Sequence, residues 1–190
     1  MQACLDLIET EGIGAVSLRK VARTAGVSPA APYHHFADRA ALLAALSTRG
    51  FELLGEHLAA ARAAASDPVS ALRALLVAYL EFTSEQPAYF RLMFRPELSQ
   101  PDKHPDTHIA ADAAVAVLTE TIADCVRDGV VAADQVDGFA LLCWSVGHGL
   151  AALTLDGQVG QRAAELGTDA DTLSRKVVDV FGTLVTPRPN

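Results

Sequence analysis

The residues that invite a chemical reading crowd into one stretch, SPAAPYHHF at positions 28–36. A phenol (Tyr33) is followed by two imidazoles (His34 and His35), just after Pro29 and Pro32 have braced the chain. Arg19, Lys20 and Arg23 stand shortly before it, and Arg39 just after. Phenol, imidazole and guanidinium groups hydrogen-bond phosphate oxygens and base edges. Residues 17–49 carry five basic side chains and one acid, Asp38, although the whole chain has a net charge of −8. That asymmetry implies a basic binding module on an acidic body. Paired catalytic carboxylates, a nucleophile elbow and a phosphate-cradling glycine loop are all missing from the sequence, so no enzyme and no cofactor is expected.

The flanking residues say how such groups would be held. Leu5 and Ile8 mark a first helix that breaks at Gly12–Gly14. Ser17 caps a second, with Leu18, Val21, Ala22 and Ala25 on one face, and Gly26 ends it. Ser28 is expected to cap a third helix of barely two turns, with Pro29 at its first position and Pro32 tightening its start. Val27 is expected to plug the angle between the two. Asp38 caps a long fourth helix running to about Ala65. Two short helices joined by AGVS have helix-turn-helix geometry, which stands the later helix proud of the surface.

In that geometry Ala30 and Ala31 let the backbone sink into a major groove, where small apolar groups meet thymine methyls. Tyr33 and His35 suit phosphate oxygens, and Ser17 and Ser28 bring capped helix starts to the same backbone. His34 lies on the exposed face with them. Arg19 has the fork that guanine requires, and Arg39 adds a charge where the duplex should pass.

Residues 17–46, SLRKVARTAGVSPAAPYHHFADRAALLAAL, resemble the DNA-binding segment of the TetR family of bacterial transcriptional regulators. The resemblance is carried by GVS, by Tyr33-x-His35-Phe36, and by a basic residue three positions later. CWSVGHGLAAL, residues 143–153, is similar to the Trp-His-Gly signature of one C-terminal class in that family. The resemblance implies an all-α homodimer, with a helix-turn-helix domain at 1–46 and a ligand-binding and dimerisation bundle at 47–190. It implies that Ser17, Tyr33, His35 and Arg39 hold phosphates of a palindromic operator, that Arg19, Ala30, Ala31 and His34 approach bases, and that Phe36 is core. Family members carry a basic segment before the first helix. This sequence starts inside that helix, so weaker DNA binding is expected of it, and a helical small-molecule-binding or co-regulator protein that does not bind DNA is the alternative reading.

The rest of the chain reads as helices at 69–86, 87–94, 107–128, 136–155 and 172–185, with a mobile loop expected between the last two. An apolar or aromatic effector would meet some of Tyr79, Phe82, Phe90, Met93, Phe94, Ile122, Trp144 and His148, each of which also suits an ordinary core. The apolar stripes at 136–155 and 172–185 are expected to meet in a dimer. The run 138–155 is long enough to cross a membrane, but its His148 and its acidic flanks favour a buried or interface helix. Cys4, Cys125 and Cys143 read as buried thiols of a cytoplasmic protein, and no signal peptide is expected. His34 and His35 diverge on a helix, and HPDTH at 104–108 reads as solvated surface, so no metal is expected.

Overall fold

The computed structural model describes residues 1–95 and 103–185. All regular structure among them is helical: α1 (Gln2–Glu11), α2 (Leu18–Thr24), α3 (Arg39–Ala64), α4 (Pro68–Glu85), α5 (Pro87–Met93), α6 (Pro105–Arg127), α7 (Val136–Leu155), α8 (Gln158–Glu165) and α9 (Ala170–Val185), with short 3₁₀ turns between some of them. Residues 96–102, part of the proline-rich stretch 95–106 between the helices expected at 87–94 and 107–128, lie outside the described set.

The chain divides into two compact units. The first comprises Met1–Leu53 and Gln86–Ala113, the second Leu54–Glu85 and 114–185 of the described residues. Helices α3 and α6 contribute to both.

The first unit is built on the apolar stripe of α1, whose Cys4, Leu5, Leu7 and Ile8 are buried. Leu42, Leu43 and Leu46 of α3 and Leu92 and Met93 of α5 are buried as well. Each large aliphatic side chain taken out of water contributes about 1.5–3 kcal/mol. Gly50 permits the closest approach: a Cβ there would lie 2.6 Å from Met93 Sδ. Burial pushes the Cys4 thiol up to about 11, so it is an inert packing group.

The second unit packs α4 against α7 and α9, with α8 bridging α7 and α9. Its core gathers Leu72, Leu76, Ile122, Cys125, Val131, Cys143, Val178, Phe181 and Val185. Arg62 binds Glu120 and, at 2.8 Å, Asp124, while Arg73 reaches Asp179 at 2.6 Å and lies across Gly182. Helix α7 with the turn before it, residues 133–155, is long and apolar enough to cross a membrane, and only 22 % of its apolar window is buried within the chain.

Two expectations are corrected here. The segment expected to be a mobile loop holds α8, which starts at Gly157 (φ 76°) and buries Val159 and Ala163. Val27 is exposed, because its N–H is drawn back to the carbonyl of Ala22 and its side chain points out of the angle instead of plugging it.

Ser47 is fully buried in α3, and its hydroxyl has no hydrogen-bond partner among the described residues. An unmade buried hydrogen bond costs about 1–3 kcal/mol. Ser47→Ala should therefore raise stability by about 1 kcal/mol, or roughly 2–4 °C in the thermal midpoint. A calorimetric scan that shows a lower midpoint would mean that the hydroxyl is satisfied.

Candidate nucleic-acid interface

Helix α2 faces two ways. Leu18, Val21 and Ala22 are buried, whereas Arg19, Arg23 and Thr24 are exposed. The side chain of Ser17 accepts the N–H of Lys20 at 3.2 Å, the cap that the sequence suggests. The helix stops in a left-handed Gly26 (φ 68°). There the N–H of Gly26 donates to the Arg23 carbonyl at 3.2 Å, and that of Val27 to the Ala22 carbonyl at 3.0 Å, a Schellman closure.

The expected third helix is a single 3₁₀ turn, Ala31–His34. Its bonds run Ala31 N–H to Ser28 carbonyl, Tyr33 N–H to Ala30 carbonyl and His35 N–H to Pro32 carbonyl, at 3.0–3.1 Å. Pro29 and Pro32 lack the N–H groups that an α-helical ladder would need here, so the chain tightens instead. Ser28 takes part through its carbonyl, and no side chain caps the turn. Pro32 is buried and Phe36 half-buried, which anchors the turn. Tyr33, 52 % accessible, stands out with His34, His35, Ser28 and Ala30, while Ala31 is half-buried.

Ser17, Arg19, Ser28, Ala30, Ala31, Tyr33, His34 and His35 are thus brought together on the helix-turn-helix. Arg39 differs, because its guanidinium is already engaged. Nε donates to the Val16 carbonyl at 2.9 Å and Nη2 to the Ile13 carbonyl at 2.7 Å. Lys20 is also occupied, by Glu11. Arg23 is exposed one turn after Arg19 and belongs with the basic face; the spacing of four residues was the signal for it.

The eight effector candidates are divided between the two units. Phe90, Met93 and Phe94 belong to the first unit, where Phe94 packs edge-on against Phe51 with ring centres 5.6 Å apart. Tyr79, Phe82, Ile122, Trp144 and His148 belong to the second. Phe82 and Ile122 are fully buried. Tyr79 Oη lies 3.0 Å from His148 Nδ1, and the ring of Trp144, 47 % accessible, is centred 6.4 Å from that of His148. Burial pushes the Tyr79 phenol well above its ordinary range, with a Trp144 hydrogen bond partly offsetting it, and burial lowers His148. The second unit has a cleft of about 530 Å³ beside Arg62, Glu120 and Asp124, and another of about 520 Å³ beside Leu80, Ala151 and Val178. Neither cleft is lined by any of the eight candidates. Among the described residues no group of three or more His, Cys, Asp or Glu could hold a metal ion.

Residues 1–46 match the family model described as bacterial regulatory proteins, tetR family, and residues 72–181 match the tetracyclin repressor-like C-terminal domain. The chain belongs to the TetR family. Residues 1–46, which hold the helix-turn-helix, are the part matched by the family's N-terminal model. It is 28 % identical over 122 residues to the HTH-type transcriptional regulator YobS of Bacillus subtilis (strain 168), across 64 % of this chain and 61 % of that protein's length. A protein of unknown function from Rhodococcus sp. RHA1 is 28 % identical and superposes with a TM-score of 0.81, covering 98 % of this chain and 93 % of the other. A tetR-family regulatory protein from Rhodococcus RHA1, 19 % identical, shares the fold with a TM-score of 0.76 over 99 % and 95 % of the two chains.

Burial lowers His148, so this TetR-family chain should lose stability in acid. As pH falls through the ordinary histidine range, near about 6.5, the unfolded chain takes up a proton before the folded one does. The stability due to neutral His148 is complete above that range and is lost below it. The thermal midpoint should fall from about pH 7.5 to about pH 5.5, and fall less in His148→Asn. Equal falls in the two proteins would refute the assignment.

Proposed function

We propose that this regulator binds a palindromic operator as a homodimer, acts as a repressor, and is released by a small apolar or aromatic effector. The reading rests on one observation above the others. A capped, buried-faced α2 and a proline-tightened turn leave Ser17, Arg19, Arg23, Ser28, Tyr33, His34 and His35 exposed, with Leu18, Val21, Ala22 and Pro32 inside. Arg19, Ala30, Ala31 and His34 would approach base edges. Ser17, Ser28, Tyr33 and His35 would hold phosphates, with Arg23 as an added charge. Residues 1–46 would form the reading domain and 47–190 the effector and dimer domain, in a cytoplasmic protein that works by binding.

The dimer reading is supported by apolar side chains that the chain leaves in water: Leu141, Leu142 and Leu153 on α7, and Val180 and Leu184 on α9, the last 76 % accessible. Gly149 adds to this. Glycine costs a helix interior roughly 1 kcal/mol relative to alanine, yet a Cβ there would meet nothing within 4 Å among the described residues. A partner helix crossing close by would account for it. For the effector, Tyr79, Trp144 and His148 supply an aromatic wall with polar handles; Tyr79→Phe together with His148→Phe should weaken operator release by the effector, and unchanged release would exclude them.

The test is footprinting of a duplex selected by the protein from a random library. Two protected half-sites centred about 34–36 Å or a multiple of it apart are expected, along with affinity that falls steeply as salt rises. Arg19→Ala with Tyr33→Ala should abolish the footprint, and the free protein should sediment at twice its 20.0 kDa chain mass. A single unpaired footprint from a monomer would contradict the dimeric reading, and no selected duplex would contradict specific operator recognition.

A further inference from the structure

The two carbonyls that Arg39 binds are placed in a way that its charge alone does not explain. Ile13 opens the 3₁₀ turn Ile13–Ala15, and Val16 ends it, immediately before the Ser17 that caps α2. Arg39 is itself the first residue of α3, immediately after Asp38, which accepts the N–H of Ala41 at 2.9 Å. Every group in the reading surface, from Ser17 to His35, therefore lies in the stretch of chain between Val16 and Arg39. The two bonds of the guanidinium close that stretch into a loop, joining residues 23 and 26 positions apart.

We propose that Arg39 is a positioning residue for DNA recognition: its fork clasps the entry and exit of the helix-turn-helix, and its contribution to binding comes through that clasp and not through a phosphate. The inference rests on the reading of this segment as the DNA interface. Nε and Nη2 project side by side in one plane and meet two separate carbonyls at 2.9 and 2.7 Å. A lysine ammonium is a compact point donor on a flexible stem and cannot reproduce that fork. Both partners are backbone carbonyl oxygens of the protein itself, so the donors are used inside the protein. α2 has only seven residues and the recognition turn only four. Segments that short cannot hold their own orientation.

The experiment compares wild type, Arg39→Lys, Arg39→Gln and, as a control on the exposed face, Arg23→Gln. Each is titrated by fluorescence anisotropy against the library-selected duplex and a scrambled duplex of equal length, over a salt series, at temperatures where circular dichroism shows the protein folded. The clasp predicts that Arg39→Lys and Arg39→Gln both lose roughly tenfold in affinity for the selected duplex, the size of one lost charge-assisted hydrogen bond. Their dependence of log K on log salt should match wild type, and scrambled DNA should be bound much as before. Arg23→Gln should instead flatten the salt dependence. A phosphate contact at Arg39 predicts the opposite: Arg39→Lys binds like wild type, and Arg39→Gln has a salt slope shallower by about 0.9. That result, or wild-type affinity in both variants, would overturn the clasp. If Arg39→Gln does not fold, Arg39→Lys decides between the two on its own. If the wild-type protein selects no duplex, the DNA reading fails first and the inference fails with it.

Discussion

A seven-residue helix and a four-residue 3₁₀ turn cannot persist by themselves in water, because each has too few hydrogen bonds to offset the entropy of ordering it. The face that we propose meets DNA is made of those two pieces. Its existence depends on what fastens them. The Ser17 cap, the Gly26 closure, the buried Leu18, Val21, Ala22 and Pro32, and the two bonds from Arg39 all serve that end. Fastened along one side, the segment leaves its other side free for polar groups, which no part of the chain's own core requires. Recognition and folding are thereby separated onto opposite faces of the same residues.

The second unit solves a different problem. Its core is ordinary close packing around Leu72, Leu76, Ile122 and Phe181, sealed by thiols that burial pushes up to about 11 at Cys125 and about 12 at Cys143. Outside that core, α7 and α9 keep apolar side chains in water, which a lone chain has no reason to do at this density. Tyr79, Trp144 and His148 are neutral, polarisable and partly enclosed, a combination suited to recognising an uncharged molecule.

Much of this was legible in the sequence for physical reasons. Helices with long apolar periodicity announced themselves, and α7 was bounded to the residue because the apolar run after Asp137 is uncharged until Asp156. The caps at Ser17 and Asp38 are local chemistry, readable from a few residues. Helix α8 was missed because only Val159 and Ala163 mark its buried face, and the glycines around it read as loop. The 3₁₀ geometry after Ser28 was half-legible. Pro32 announced a tightened start, but how far the tightening runs depends on Pro32 itself being buried. The engagement of Arg39 was not legible, since bonds across 23 and 26 residues leave no periodic trace. For the same reason the sequence could not divide the effector candidates between two units.

The central claim is that the outward face between Ser17 and His35 is where DNA is met. Amide hydrogen exchange, followed by mass spectrometry with and without the selected duplex, addresses it directly. DNA should slow exchange in α2 and the 28–36 segment and leave α8 unchanged. Protection confined to α7, α8 or α9, with residues 17–36 exchanging as in the free protein, would contradict the account.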